Sequence, residues 1–159
     1  MNVTRAQGES MTMTMAIDRQ AARTTIAQTG DLDLPFLTEA ARQLDQAGVG
    51  PDYDLVFDLG RVPNAPSIFA GLALGSFWVD HRERFRGRIA IVAPPVLHSR
   101  RGLAVMEAAA MLAAMPLRVF DNQASCDQWL TAPVAPPTAR APRNRKRRDP
   151  SAAGPATPG

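Results

Sequence analysis

Cysteine, histidine and lysine are scarce in this chain of 159 residues. The single cysteine, Cys126, excludes an internal disulfide and fits a reducing compartment, so we expect the protein to be cytoplasmic. The two histidines, His81 and His98, have no second His or Cys pair at the spacing of a zinc site. We therefore expect no metal and no other cofactor.

Long apolar runs are also missing. The longest, residues 68–79, is interrupted by two glycines and a serine, whereas a helix needs about 20 apolar residues to cross a bilayer. We expect no membrane span. Residues 1–10 lack the apolar core of a signal peptide, and we expect them to form a disordered leader.

The charge is divided unevenly along the chain. Residues 1–131 have no lysine and carry 12 Arg against 14 Asp and Glu, for a net charge of −2. Residues 132–159 carry five Arg and Lys146 against Asp149, for a net charge of +5. The nearly neutral first part argues against a broad basic face for nucleic acid on the folded protein.

Residues 132–159 form a tail rich in Pro, Ala and Arg with no apolar periodicity, and we expect this tail to be disordered. It is a candidate for binding nucleic acid or another acidic surface without sequence specificity. A purely solubilising role fits it equally well. The candidate polyanion-binding residues are Arg143, Arg145, Lys146, Arg147 and Arg148.

Residues 11–131 alternate between strand and helix patterns. The resulting order, β-β-α-β-α-β-α-β-α, predicts a single small α/β domain with a mixed, mostly parallel sheet and helices packed on both faces. Ser67 suits the start of a helix that runs to about residue 86. Strands are predicted at residues 11–17, 24–27, 55–59, 88–93 and 117–120. The other helices are predicted to begin directly after residues 33, 98 and 124.

Three segments carry a family resemblance: residues 55–59 (LVFDL), residues 88–94 (RIAIVAP), and residues 118–121 (RVFD) followed by Trp129-Leu130. In this order they resemble the SpoIIAA-like (STAS-like) superfamily, in its uncharacterised STAS/SEC14-type branch of small bacterial proteins. The resemblance covers about residues 13–131. It implies a non-enzymatic regulatory or protein-binding module with a protein partner, and it leaves a homodimer open.

The superfamily includes the anti-sigma-factor antagonists, in which a serine at a helix start is phosphorylated. Counted from the strand that ends in Asp58, the matching position is Ser67, which is a candidate phosphoacceptor or a plain helix cap. The chain departs from the antagonists here, because Pro66 precedes this serine and Ile68-Phe69 follow it. This departure puts recognition by their kinase in doubt.

The other candidate contacts for a ligand or anion follow buried strands. Asp58 ends one strand, at the edge where open α/β sheets place ligands. The remaining candidates precede a helix and could hold an anion, although an exposed capping loop explains them as well. They are His98, Ser99, Arg100 and Arg101.

No residue is predicted to be catalytic, and we expect the protein not to be an enzyme. A small-molecule or lipid carrier of SEC14-like type is the main alternative, prompted by the resemblance and by the apolar helix. An enzyme would require Asp58, His98 and Arg100 to converge in one pocket.

Overall fold

The computed structural model describes residues 3–5, 11–98 and 101–133. Its strands form one six-stranded sheet in the order β1-β2-β3-β4-β5-β6. The strands are β1 (Val3–Arg5), β2 (Met11–Asp18), β3 (Arg23–Gln28), β4 (Asp54–Asp58), β5 (Ile89–Val92) and β6 (Leu117–Phe120). The helices are α1 (Leu34–Gln46), α2 (Ile68–Asp80), α3 (Pro95–His98), α4 (Arg101–Leu112) and α5 (Gln123–Thr131). Across the described part of the chain, every helix is too short or too polar to span a membrane.

The sheet is mixed and mostly parallel, as predicted. The first three strands are antiparallel neighbours, and β3, β4, β5 and β6 are parallel. The central strands have the continuous apolar sequence expected of strands buried on both faces, and Val56, Ile89 and Ala90 have no exposed surface.

The helices α1, α2 and α4, which connect the parallel strands, lie on one face of the sheet, and α5 lies on the other, so helices pack on both faces as predicted. Right-handed crossovers between strands in sequential order all pass over the same face. The strand order never reverses within the parallel part of the described sheet. As a result, α1, α2 and α4 share one core, and only α5 packs on the opposite face.

Aromatic rings fill the core beneath these connecting helices. Phe57 of β4 makes edge-to-face contacts with Phe36 of α1 and Trp78 of α2, with ring centroids 6.2 and 5.5 Å apart. Trp78 is 1% exposed. These contacts pack the first two connecting helices, α1 and α2, against the same strand.

The opposite face of the sheet has two parts. Under α5, Val56 and Ala90 pack against Cys126 and Leu130 in a small apolar cluster. Toward β2 and β3 the outward side chains are small or polar, and Thr14, for example, is exposed. The alternation of Met and Thr in β2 places Met13 and Met15 toward the core and Thr12 and Thr14 on this open part.

Two predicted boundaries are wrong. Val3–Arg5, expected within a disordered leader, forms a strand that pairs with β2 and so covers backbone groups that would otherwise be unpaired at the sheet edge. The helix expected to reach residue 86 ends at Asp80, because the chain then turns and Phe85 packs back on Trp78, with ring centroids 5.3 Å apart.

Glycines bring α2 and α4 into close contact. A Cβ on Gly71 would lie 2.1 Å from the backbone oxygen of Gly102, and a Cβ on Gly102 would lie 1.9 Å from the oxygen of Pro66. The two helices are parallel, so both begin at the edge of the sheet where the parallel strands end. This close packing determines which side chains of α2 remain outside.

Candidate functional site

The carboxyl ends of the parallel strands form one edge of the sheet, which we call the carboxyl edge. Asp58 is the last residue of β4 and is half-buried there. One of its carboxylate oxygens accepts a hydrogen bond from the backbone N–H of Gly60 at 2.9 Å. The bond tightens the turn after the strand and holds the carboxylate in place at the edge.

A cavity of about 190 Å³ lies beside Asp58. Most of the side chains that line it are polar, and they supply hydroxyl, amide, carboxylate and guanidinium groups. Such side chains can form hydrogen bonds with a small polar molecule. The lining residues are Thr12, Thr14, Ala27, Gln28, Thr29, Asp58 and Arg61.

Ser67 caps the first turn of α2 at the same edge. Its hydroxyl oxygen accepts a hydrogen bond from the backbone N–H of Ala70 at 3.2 Å, as expected for a cap. The serine is exposed and accessible. The capping role predicted from the sequence is therefore confirmed, and phosphorylation stays a prediction.

Three large apolar side chains of α2 are exposed next to Ser67. Ile68 is 42% exposed, Phe69 is 84% exposed and Leu72 is 48% exposed. Positions 68 and 72, and positions 69 and 72, are neighbours on a helix surface, so the three side chains form one patch, which we call the apolar edge patch. Exposing this much apolar surface is unfavourable in water unless something covers it.

The predicted anion contacts near α4 are only partly described. His98 ends α3, and Arg101 is the first residue of α4 and is exposed. The side chain of His98, together with Ser99 and Arg100, lies outside the described residues.

The predicted tail residues Arg143, Arg145, Lys146, Arg147 and Arg148 also lie outside the described residues. Within the described ranges, no group of three or more His, Cys, Asp or Glu side chains could hold a metal ion.

Cys126 lies in the small cluster under α5 and has no exposed surface. Burial raises the pKa of its thiol to about 11, the charge of Asp127 adds to this effect, and Arg23 opposes it. A thiol that is protonated and inaccessible is a poor nucleophile. A structural role fits this buried environment.

The sequence reasoning missed most residues of the site. Thr12 and Thr14 line the cavity because they lie on the outward face of β2, and the strand pattern alone predicts no site there. From the sequence, Phe69 is only a departure from a family pattern. A signal was present, since α2 is apolar around its whole circumference, and such a helix at a protein surface must expose apolar residues.

Comparisons with known proteins establish the fold alone. No protein-family model matches the chain, and no curated protein matches it in sequence. The structure is similar to the crystal structure of an uncharacterised protein of the DUF3478 family from Shewanella loihica PV-4, which has a SpoIIAA-like fold. The TM-score is 0.52 and the sequence identity is 14%, over 79% of this chain and 99% of that chain. This chain therefore has a SpoIIAA-like fold, as its sequence motifs implied.

Proposed function

We propose that this SpoIIAA-like protein is a non-enzymatic module that binds a protein partner through the carboxyl edge and the start of α2. The observation that supports the proposal most directly is the apolar edge patch, above all Phe69 at 84% exposure. An exposed aromatic ring surrounded by aliphatic side chains is typical of the centre of a protein–protein interface.

Polar groups around the patch suit the rim of such an interface. Ser67 lies immediately before it in the chain, and Arg61 is exposed in the loop that leads to it. A phosphoryl group on Ser67 would place negative charge beside Phe69, where it would oppose the docking of an apolar partner. The proposal therefore includes regulation at this serine.

The carrier alternative has less support. Ligands of open α/β sheets bind where the strand order reverses, and the order does not reverse in the parallel part of this sheet. The cavity beside Asp58 has a volume of only about 190 Å³, and six of its seven lining residues are polar or charged. Both features favour binding at the surface over enclosure of a lipid.

The proposal is tested with a variant that removes the patch and leaves the core intact. Full-length protein carrying Phe69→Ser and Leu72→Ser is tagged and used to capture proteins from the native cell. We expect the variant to lose at least about nine-tenths of a polypeptide that the original protein retains, because hot-spot truncations cost about 2 kcal/mol or more.

The matched control changes Met111 and Leu112 to serine. These side chains are 71% and 92% exposed and lie at the C-terminal end of α4, away from the apolar edge patch. The control therefore removes a similar apolar surface at another place. Retention of the polypeptide by the control supports the proposal. Equal retention by both variants would overturn it, and a co-purifying small ligand in native mass spectrometry would favour the carrier.

A further inference from the structure

A second concave surface lies at the opposite edge of the sheet, where the parallel strands begin. This groove has a volume of about 530 Å³ and is lined by Arg86, Arg88, Arg118 and Trp129, together with two aspartates. We call it the arginine groove. It shares no lining residue with the cavity beside Asp58.

The two aspartates are occupied by neighbouring groups. Asp52 forms an ion pair with Arg86 at 3.2 Å, and Asp54 accepts a hydrogen bond from the backbone N–H of Arg88 at 2.8 Å. Arg118 has no ion-pair partner within the part of the chain that the structure describes, and its side chain is exposed. The groove therefore presents a guanidinium that can bind an anion.

Trp129 holds this guanidinium in position. The central carbon of the Arg118 guanidinium is 5.7 Å from the centroid of the Trp129 ring, and that of Arg88 is 5.8 Å from it. The ring is itself supported by Phe120, with centroids 5.4 Å apart. A guanidinium fixed in this way loses little entropy on binding, and its planar fork matches the oxygens of a phosphate.

The arginine groove lies where the basic tail begins. Ala132 and Pro133 line the groove, and the chain then continues into residues 134–159, whose sequence carries a formal charge of +5. The last described residues before the basic part of the sequence therefore lie at the groove.

We propose that the arginine groove binds single-stranded nucleic acid, with a phosphate on Arg118 and a base stacked on the exposed side of its guanidinium. Guanidinium planes stack on unpaired bases, and arginine forks pair with phosphates. A flexible strand can place one phosphate and one base in a concave surface of this size, whereas a flat anionic membrane offers no base to stack on Arg118.

The test measures the binding of a fluorescein-labelled 20-nucleotide oligouridine to the full-length protein by fluorescence anisotropy between 50 and 300 mM salt. We expect Arg118→Ala to weaken binding at low salt by about fivefold, and to lower the slope of log K against log salt by about one. The control, Arg42→Ala, removes one exposed arginine of α1, on the other face of the sheet, and its affinity should stay within about twofold of the original.

Two further measurements keep the result decisive. Arg118→Lys retains the charge without the planar fork, and we expect its affinity to lie between those of the original protein and Arg118→Ala. Thermal unfolding confirms that each variant is folded. Equal affinities of the Arg118→Ala and Arg42→Ala variants would overturn the proposal. It would also fail if the original protein did not bind oligouridine at 50 mM salt, or if Arg118→Ala reduced binding to phosphatidylserine vesicles but not to RNA.

Discussion

At the scale of single residues, the buried thiol of Cys126 predicts that the stability of the fold falls at high pH. Its pKa is raised from an ordinary value of 9.0 to about 11 because the thiol is buried. The unfolded chain therefore loses this proton first, and the stability that the buried thiol contributes is present below pH 9 and lost as the pH rises through 11. We expect that contribution to fall by about 2 to 3 kcal/mol over this range.

Urea unfolding of the original protein and of Cys126→Ala at pH 8 and pH 11 isolates the effect, because every other titrating group is common to both proteins. The original protein should lose more stability than the variant between the two pH values. Equal losses would contradict the burial of the thiol.

From the sequence, Cys126 could be recognised as inert because no histidine lies nearby. Its burial could not be predicted, because it depends on contacts with Val56 and Ala90 of the sheet, which no local pattern indicates.

At the scale of elements, the packing of α2 on α4 depends on the absence of a side chain at Gly71. Alanine there would place its Cβ 2.1 Å from the Gly102 oxygen, so the helices would have to separate. We expect Gly71→Ala to lower the free energy of unfolding by about 2 kcal/mol, even though alanine favours a helix by about 1 kcal/mol. Urea unfolding at pH 7 measures this change.

Gly50→Ala is the matched control, because the nearest atoms to its added Cβ would be those of the Tyr53 ring at 3.8 Å, an ordinary contact. This variant should change stability by no more than about 0.5 kcal/mol. A similar small change for Gly71→Ala would mean that the helices are not in close contact.

The same scale shows where sequence patterns succeed and fail. Strands β4 and β5 could be predicted because a strand that is buried on both faces has consecutive apolar residues in its sequence. The end of α2 could not be predicted, because it depends on the contact between Phe85, which follows the helix, and Trp78 within it. Likewise, local patterns could not reveal that Arg88 and Arg118 share one aromatic ring.

At the scale of the whole molecule, the sheet separates two surfaces of different chemistry. The apolar edge patch lies where the parallel strands end, and the arginine groove lies where they begin. Strands of four or five residues, at about 3.3 Å per residue, place the two edges about 15 Å apart. Substitutions separated by more than about 10 Å with no shared partner have additive effects.

This separation predicts that the two binding activities are independent. Phe69→Ser with Leu72→Ser should abolish capture of the polypeptide partner and leave the oligouridine affinity within about twofold, whereas Arg118→Ala should do the reverse. A protein with all three substitutions should show both losses, each equal to the loss measured alone. If Arg118→Ala also lost the polypeptide, the partner would extend across the sheet to both edges, and the two surfaces would belong to one interface.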